Sequence, residues 1–287
     1  MKIAKVITTS FVPRVVREDT GLAGSPMGYF SHSQNFQTEE SVIDLINWVI
    51  DSESMCNPGY PVDLIIVNND SGWGKGVNFL KKIDGKTLNH GKVRVLTKEN
   101  YGRSFGGYNY AFKLLQDEYE YFIFTEDDIV ISRDGYASIA VDVFLKTKNC
   151  GFVSYQAISN QGLNLAPEDA LAAHGGVGLT STNVLKAVAK QFGSLPHSEK
   201  GSSQAYHDII KNGEIAFTNK IYKLGYKLIS IPDNIKLYDF AYDQMRGLNV
   251  AIFPSFPVKL LAMIKMKAYE SKLIRSFYFK VKKSFIG

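Results

Sequence analysis

Three acids in a row, Glu126, Asp127 and Asp128, close the run Tyr-Phe-Ile-Phe-Thr and precede Ile-Val-Ile. The apolar run reads as a strand buried on both faces. Adjacent carboxylates at the end of such a strand repel one another, and a divalent cation that neutralises them makes the arrangement tolerable. Hard oxygen ligands suit Mg²⁺ or Mn²⁺, and Mg²⁺ is commonly held by one or two carboxylates together with substrate phosphates. The chemistry indicated is therefore the handling of metal-bound phosphate. An isolated acidic triplet would be a solvated turn, but here two other polar strand ends accompany it. They are Thr8, Thr9 and Ser10 after "KIAKVI", and Asn68, Asn69, Asp70 and Ser71 after "DLIIV".

Those positions need elements to carry them. Residues 2–8, 63–72, 92–97 and the stretch from 121 read as strands. A helix is expected from a Thr38 cap, with Glu39 and Glu40 in the first turn where the helix dipole favours acids. Val42, Ile43, Leu45, Ile46, Val49 and Ile50 give it an apolar face. Tyr108, Ala111, Phe112 and Leu115 mark a second helix. Strand, helix, strand, strand, helix, strand is the order of an α/β fold with a mainly parallel sheet, in which ligands sit at the carboxyl ends of the strands. The stretch 11–36, rich in Gly, Pro and Ser, reads as a loop. The second half is less regular. A strand is expected over 150–158, a glycine-rich turn into a strand over 174–181, and a helix after Ser181 or Thr182. A polar loop over 193–204 and a helix from near Ser203 follow. Residues 212–232 then read as helix, Gly225 stop, strand and Pro232 terminator.

The 287 residues allow one large α/β domain or two modest ones, and 45% hydrophobic with 21% charged residues is the balance of a soluble globular protein. The start, "MKIAKVITTSF", reads as a first strand and not as a signal peptide, and no run approaches the roughly 18 apolar residues of a membrane span. Cys56 and Cys150 lack metal-site spacing, so a reducing cytoplasm is the expected setting. From residue 258 onward eight Lys and Arg residues face Glu270 alone, a charge of +7 that leaves −2 for the rest of a chain whose total is +5. The basic residues of 258–287 alternate with Leu260, Leu261, Met263, Ile264, Leu273, Ile274, Phe277 and Phe279, a composition suited to an interfacial helix on an anionic membrane. A domain near −2 without a recognition motif argues against nucleic acid as a partner.

In their order these motifs resemble the GT-A-fold glycosyltransferases, particularly the large family-2 group. The resemblance implies a Rossmann-like central sheet with helices on both faces. In it, "TEDD" takes the place of the acidic motif that holds metal and nucleotide-sugar diphosphate, with Asp128 the direct metal ligand, Glu126 at the first acidic place and Asp127 beside the diphosphate. The strand ends Thr8–Ser10 and Asn68–Asp70 would hold the nucleotide. The loop "ENYGRSFGGYNYAF" resembles the family's glycine-containing donor loop through Asn100, Gly102, Gly106, Gly107 and Asn109. Its glycines let backbone approach a donor, and Arg103 can meet phosphate or sugar. "GEIAFTNKIYKLGYKLISIP" resembles the segment that supplies the catalytic base. Glu214 takes the base place, Lys220 the place of an Arg, and Gly225-Tyr226 that of a Gly-Tyr pair. Apart from the resemblance, Glu214 reads as an acid at a helix N-terminus. "HGGVGLTSTNVL" resembles the stretch beside the donor sugar, and His174 is assigned no metal.

Three departures stand out. "NNDS" replaces the frequent "DDGS" with its base-reading Asp, which leaves the nucleobase open. Glu214 replaces an Asp. Asp239 in "IKLYDF" stands where some members carry a metal-binding His, and it is the third candidate metal ligand. The implied activity is metal-dependent, inverting transfer of a sugar from a nucleotide-sugar to a glycan or lipid-linked hydroxyl in cell-surface glycan synthesis. Residues 1–245 would form the transferase domain, 1–130 its nucleotide-sugar half and 131–245 its acceptor half. Residues 246–287 would be a basic tail at the inner face of the cell membrane. A sugar nucleotidyltransferase would open with a glycine-rich basic loop, which "TTSFVPRVVRED" lacks. A receiver domain would place an acid pair where Thr8-Thr9-Ser10 stand. A non-catalytic carbohydrate-binding scaffold is kept open by the NNDS and Glu214 departures.

Overall fold

The structure, a computed structural model, describes residues 1–11, 39–70, 72, 74–155, 157–159, 171–173, 176–198, 210–232 and 234–240. The expected Thr38 cap, the loop over most of 11–36, Ser71, His174, the helix start near Ser203 and the tail 246–287 lie outside the described residues.

Strand β1 (Ile3–Thr9) is buried along its whole length. It pairs in parallel with β2 (Val62–Asp70) on one side and with β5 (Tyr121–Glu126) on the other. β2 in turn pairs in parallel with β4 (Gly91–Glu99), which β3 (Thr87–Leu88) lines antiparallel. Beyond β5 lie β10 (Gly178–Ser181), β7 (Cys150–Ser154) and β11 (Lys227–Ser230), giving the order β11-β7-β10-β5-β1-β2-β4-β3. All strands but β10 and β3 run in one direction. The near-continuous Val, Ile, Leu and Phe runs of β1, β2 and β5 are those of strands covered on both faces.

Helices α1 (Glu39–Met55) and α2 (Gly74–Ile83) cover one face over Ile7, Leu64, Ile66 and Val93. Helix α3 (Arg103–Leu115), α5 (Thr182–Phe192) and α6 (Ala216–Lys223) cover the other over Val6, Ile65, Val67, Phe122 and Phe124. Helix α4 (Tyr136–Lys146) packs with Ile123, Val153 and Leu179. The sequence reading missed α2 and α4. α2 buries only Gly76, Leu80 and Ile83, too thin a stripe to mark a helix, and α4 mixes small and large apolar residues on its buried face. The expected strand 150–158 is split, because β8 (Ala157–Ser159) leaves the sheet to pair with β9 (Leu171–Ala173). Ile129–Ile131, β6, likewise forms its own ribbon, with β12 (Tyr238–Phe240).

Lys5, in mid-β1, is fully buried and ion-paired with Glu53 of α1 at 2.5 Å, while the Tyr136 hydroxyl donates to the same carboxylate at 2.6 Å. The Glu53 carboxylate thus ties β1 to α1 through one oxygen and α4 to α1 through the other. At the β3 end of the sheet, the backbone of β4 is largely occupied. Gly85 N donates to Val93 O at 3.0 Å, Val93 N to Lys86 O at 2.8 Å, and Val95 N to the Asp84 carboxylate at 2.8 Å. Among the described residues no helix is long and apolar enough to cross a membrane.

Candidate functional site

From β1 the chain steps to β2 and β4 on one flank, then crosses through α3 to β5 on the other. The crevice outside the carboxyl ends of β1 and β5 is therefore the topological switch point, the place where open α/β sheets take ligands. The register sets the expected residues there side by side. Thr8 stands opposite Glu126, Thr9 opposite Asn68, Asn69 opposite Lys98, and Asp70 opposite Glu99. Ser10 follows β1 at the same edge. Side chains alternate along a strand, so Thr125, Thr9 and Asn68 share one face on three adjacent strands. Their Thr125 Oγ1, Thr9 Oγ1 and Asn68 Oδ1 atoms are buried without a hydrogen-bond partner among the described residues. An unmet buried polar atom costs about 1–3 kcal/mol. A row of three at a switch point is what a ligand that supplies the missing bonds would leave.

The acidic turn lies beside this row. β5 ends on Glu126, Asp127 and Asp128 make the turn, and all three are half-buried. Ser104 Oγ donates to Glu126 Oε1 at 3.2 Å. Beneath them Tyr108 stacks on Phe124 at 4.5 Å and donates to Thr125 O at 3.1 Å. Burial first, and then the charges of Glu126, Asp127 and Asp128, push its phenol well above the ordinary value, so Tyr108 remains a neutral donor under the carboxylates. β12 runs antiparallel to β6 with Asp239 opposite Val130 and Phe240 opposite Ile129, which returns the chain toward Asp128. The Asp239 carboxylate is buried and paired with Lys236 at 2.5 Å. Among the described residues no group of three or more His, Cys, Asp or Glu side chains is arranged to hold a metal ion. The donors at the turn are hard oxygens on one or two carboxylates. That set fits Mg²⁺ or Mn²⁺ only when phosphate oxygens complete the shell.

The loop into α3 is shaped by backbone. Gly102 (φ 71°) and Arg103 (φ 46°) are consecutive left-handed residues. The conformation is uncommon for Arg and is held by its surroundings. Gly106 N donates to Gly102 O at 2.8 Å. A Cβ on Gly107 would stand 2.1 Å from Thr8 Cγ2, and one on Gly106 would stand 2.6 Å from Tyr101 O. Gly107 thus seats α3 directly on β1, and Gly106 packs on the Tyr101 carbonyl. Asn109 is a structural tie, its Oδ1 accepting from Leu195 N at 3.1 Å. Asn100 is half-buried at the bend that follows β4.

One residue of this edge went unnoticed in the sequence. Lys98, in β4, is buried, and its ammonium donates to Asn69 Oδ1 at 3.0 Å, Glu99 O at 2.5 Å and Tyr101 O at 2.6 Å, 3.7 Å over the Tyr101 ring. Burial pushes it down to about 8, against the pull of Glu99. The signal was available, since alternation in "VRVLTKE" puts Lys98 on the face of Leu96.

Glu214 is buried in a π-helical turn, Ile210–Ile215, that leads into α6. Such turns are rare and frequent at functional sites. The turn is keyed to α3 by Phe105, because a Cβ on Gly213 would lie 2.6 Å from Phe105 Cδ2 and one on Gly176 2.7 Å from Phe105 Cζ. The Phe105 ring thus fits against two glycines, one residue after the Ser104 that holds Glu126. Lys220 lies 5.0 Å over the Phe192 ring. Gly225 ends α6 at φ 78°, and Tyr226 leaves no room for a Cβ on Gly151, so the Gly-Tyr pair serves packing.

No family model matches the sequence, and no curated protein matches it. Among solved structures it is similar to the apo structure of the bifunctional glycosyltransferase WbbM, at 9% identity and a TM-score of 0.44, with 81% of this chain aligned. The chain spans 39% of the length of that protein.

Proposed function

We propose that this chain is a glycosyltransferase that moves a sugar from a nucleotide-sugar diphosphate to an acceptor hydroxyl with inversion of the anomeric centre. The observation that supports it is the carboxyl edge of β5-β1-β2. An acidic turn flanks the switch point there, beside a row of buried, unmet polar atoms. In this reading Thr8, Thr9, Ser10, Asn68, Asn69 and Asp70 hold the nucleotide. Asn100, Gly102 and Arg103 line the approach to the diphosphate. Asp128, with Glu126, would hold Mg²⁺ or Mn²⁺ jointly with that diphosphate, and Asp239 would join them only by leaving Lys236. Such an ion, when bound, neutralises the charge gathering on the leaving diphosphate.

The protein's own part is positioning and proton transfer. Ser104 and Tyr108 fix the acidic turn from below. Glu214 takes the proton of the acceptor hydroxyl as its oxygen bonds to the anomeric carbon and the bond to the diphosphate breaks. A carboxylate held in one place by a buried turn suits a general base, whose worth lies in standing at the proton it removes. The acceptor is a glycan or a lipid-linked glycan, met on the side of β7–β10 and the π-helical turn. Residues 258–287 bring the domain to an anionic membrane surface in this reading, on the strength of their sequence alone.

The test combines turnover with binding. Full-length protein with Mn²⁺ and a panel of nucleotide-sugars should release nucleoside diphosphate. Asp128→Asn should abolish release and the Mn²⁺-dependent part of nucleotide diphosphate affinity while the circular dichroism spectrum stays unchanged. Unaltered metal-dependent affinity in that variant would remove the assignment. Binding without any release across the panel, with a range of acceptors added, would favour a carbohydrate-binding scaffold.

A further inference from the structure

We infer that Lys98 is a positioning residue for the loop before α3. Its ammonium draws the Glu99 and Tyr101 carbonyls onto one cation, and so sets the left-handed turn from which Ser104 holds Glu126. Donor affinity then depends on the charge of a buried lysine. This rests on the nucleotide-sugar reading above and adds to it a residue that acts through others.

Carbonyl oxygens that converge repel one another unless a donor stands between them. Lys98 Nζ donates to Glu99 O at 2.5 Å and to Tyr101 O at 2.6 Å, and its third N–H goes to Asn69 Oδ1 at 3.0 Å. All three donors of the ammonium are thereby used. The chain between the two carbonyls is tight, with Tyr101 N donating to Glu99 O at 2.9 Å. Gly102 and Arg103 follow in left-handed backbone, at φ 71° and 46°, which an arginine keeps only where its surroundings hold it. Gly106 N closes the turn on Gly102 O at 2.8 Å. A Cβ on Gly106 would lie 3.7 Å from Lys98 Nζ, so the ammonium stands against the turn it organises. Ser104, next in the chain, donates to Glu126 Oε1 at 3.2 Å. One short loop of main chain therefore joins Lys98 to the acidic turn.

A neutral amine cannot take the place of the ammonium. It has two N–H groups for three oxygens and must turn a lone pair toward one of them, and the bonds that remain lose their charge assistance. Burial favours the loss of that proton and pushes Lys98 down to about 8, against the pull of Glu99. The charged and titratable groups around it are few. On its own strand and loop stand Glu99 and the Tyr101 ring, 3.7 Å from the ammonium. β2 brings Asn69 and, opposite Glu99, Asp70. Arg103 begins α3, and His197 lies beyond Tyr101, ring to ring at 6.1 Å. The clamp is therefore complete below about pH 8 and is lost as pH rises through it.

Calorimetry on the full chain with Mg²⁺ and UDP, dTDP, GDP, CDP and ADP tests this, read from pH 7 to 9.5 on whichever diphosphate binds tightest. Affinity should fall about tenfold or more over that range, because only the charged fraction is competent to bind. Lys98→Met should be about tenfold weaker at pH 7 and flat in pH, and the Tyr101 and Gly106 amides should exchange hydrogen faster in it. Lys98→Arg stays charged throughout and should lose the slope as well, so it carries the comparison if Lys98→Met does not fold. A flat wild-type profile overturns the inference while nucleotide binding stands. So does a slope that persists in folded Lys98→Met, or amide exchange there at the wild-type rate. If the folded protein binds none of the five, the nucleotide reading falls and takes this inference with it.

Discussion

A carboxylate can serve catalysis or merely finish a helix, and Glu214 is the residue where the difference is measurable. As the general base it would contribute about 10²- to 10⁴-fold. Glu214→Gln keeps size and burial, so nucleotide diphosphate affinity should hold while turnover falls by about 10²-fold or more. A loss under about threefold would return the residue to a structural role. Tyr155 gives the opposite kind of expectation. Its hydroxyl is buried with no hydrogen-bond partner among the described residues. Tyr155→Phe deletes an unmet polar atom and should be neutral or stabilising by up to about 1 kcal/mol in chemical denaturation.

Elements carry these residues, and Phe105 joins two of them. Because the ring is seated against Gly176 and Gly213, it relates the start of α3 to the π-helical turn. If it acts by placing Glu214, Phe105→Leu should lower kcat about tenfold or more with little change in nucleotide affinity. In a Glu214→Gln background the same change should add almost nothing, since residues that act as a unit are not additive. Equal losses in both backgrounds would mean that Phe105 is only core. The parallel strands and their polar ends were legible in the sequence, because a buried strand leaves an uninterrupted apolar run and stops abruptly at Glu126 or Asn68. The three-residue strands were not. β8, β9, β6 and β12 are three residues each and pair off in separate ribbons, so they owe their form to distant partners and leave no local period. The role of Lys98 was hidden for a related reason. A lysine is ordinarily an exposed residue, and only the pairing of β2 with β4 brings Asn69 to meet it.

For the molecule as a whole, the alkaline limit of stability follows from its buried phenols. Burial first, with nearby carboxylates adding to it, pushes Tyr108, Tyr119, Tyr136 and Tyr155 above their ordinary value of 10.0. In the unfolded chain these groups lose protons near that ordinary value, while in the folded chain they keep them. The stability they allow is intact below pH 10 and is lost as pH rises beyond it. Lys98 works the other way between about pH 8 and 10.5, because its folded form sheds a proton first. Melting temperatures should therefore fall steeply above pH 10, and less steeply in Tyr155→Phe. A decline unchanged by that substitution would exclude Tyr155 as a contributor. The second expectation at this scale concerns 258–287, outside the described residues. A chain ending at Pro254 should stay folded yet no longer pellet with anionic liposomes at low salt, and it should lose activity only on lipid-anchored acceptors. Full-length protein that ignores such liposomes would end the membrane reading.

The occupied backbone of β4 has a consequence for behaviour at high concentration. An open strand edge is a template on which another chain can add, the first step toward fibrils and insoluble assemblies. Here Gly85, Lys86 and the Asp84 carboxylate already fill the places such a strand would take at Val93 and Val95. The antiparallel β3 adds only two residues of its own. At those positions the edge is therefore closed to recruitment by a single acidic side chain and one short turn. Asp84→Ala would reopen the Val95 N–H without touching the carboxyl edge, so its first symptom should be light scattering on storage, with turnover per folded molecule intact.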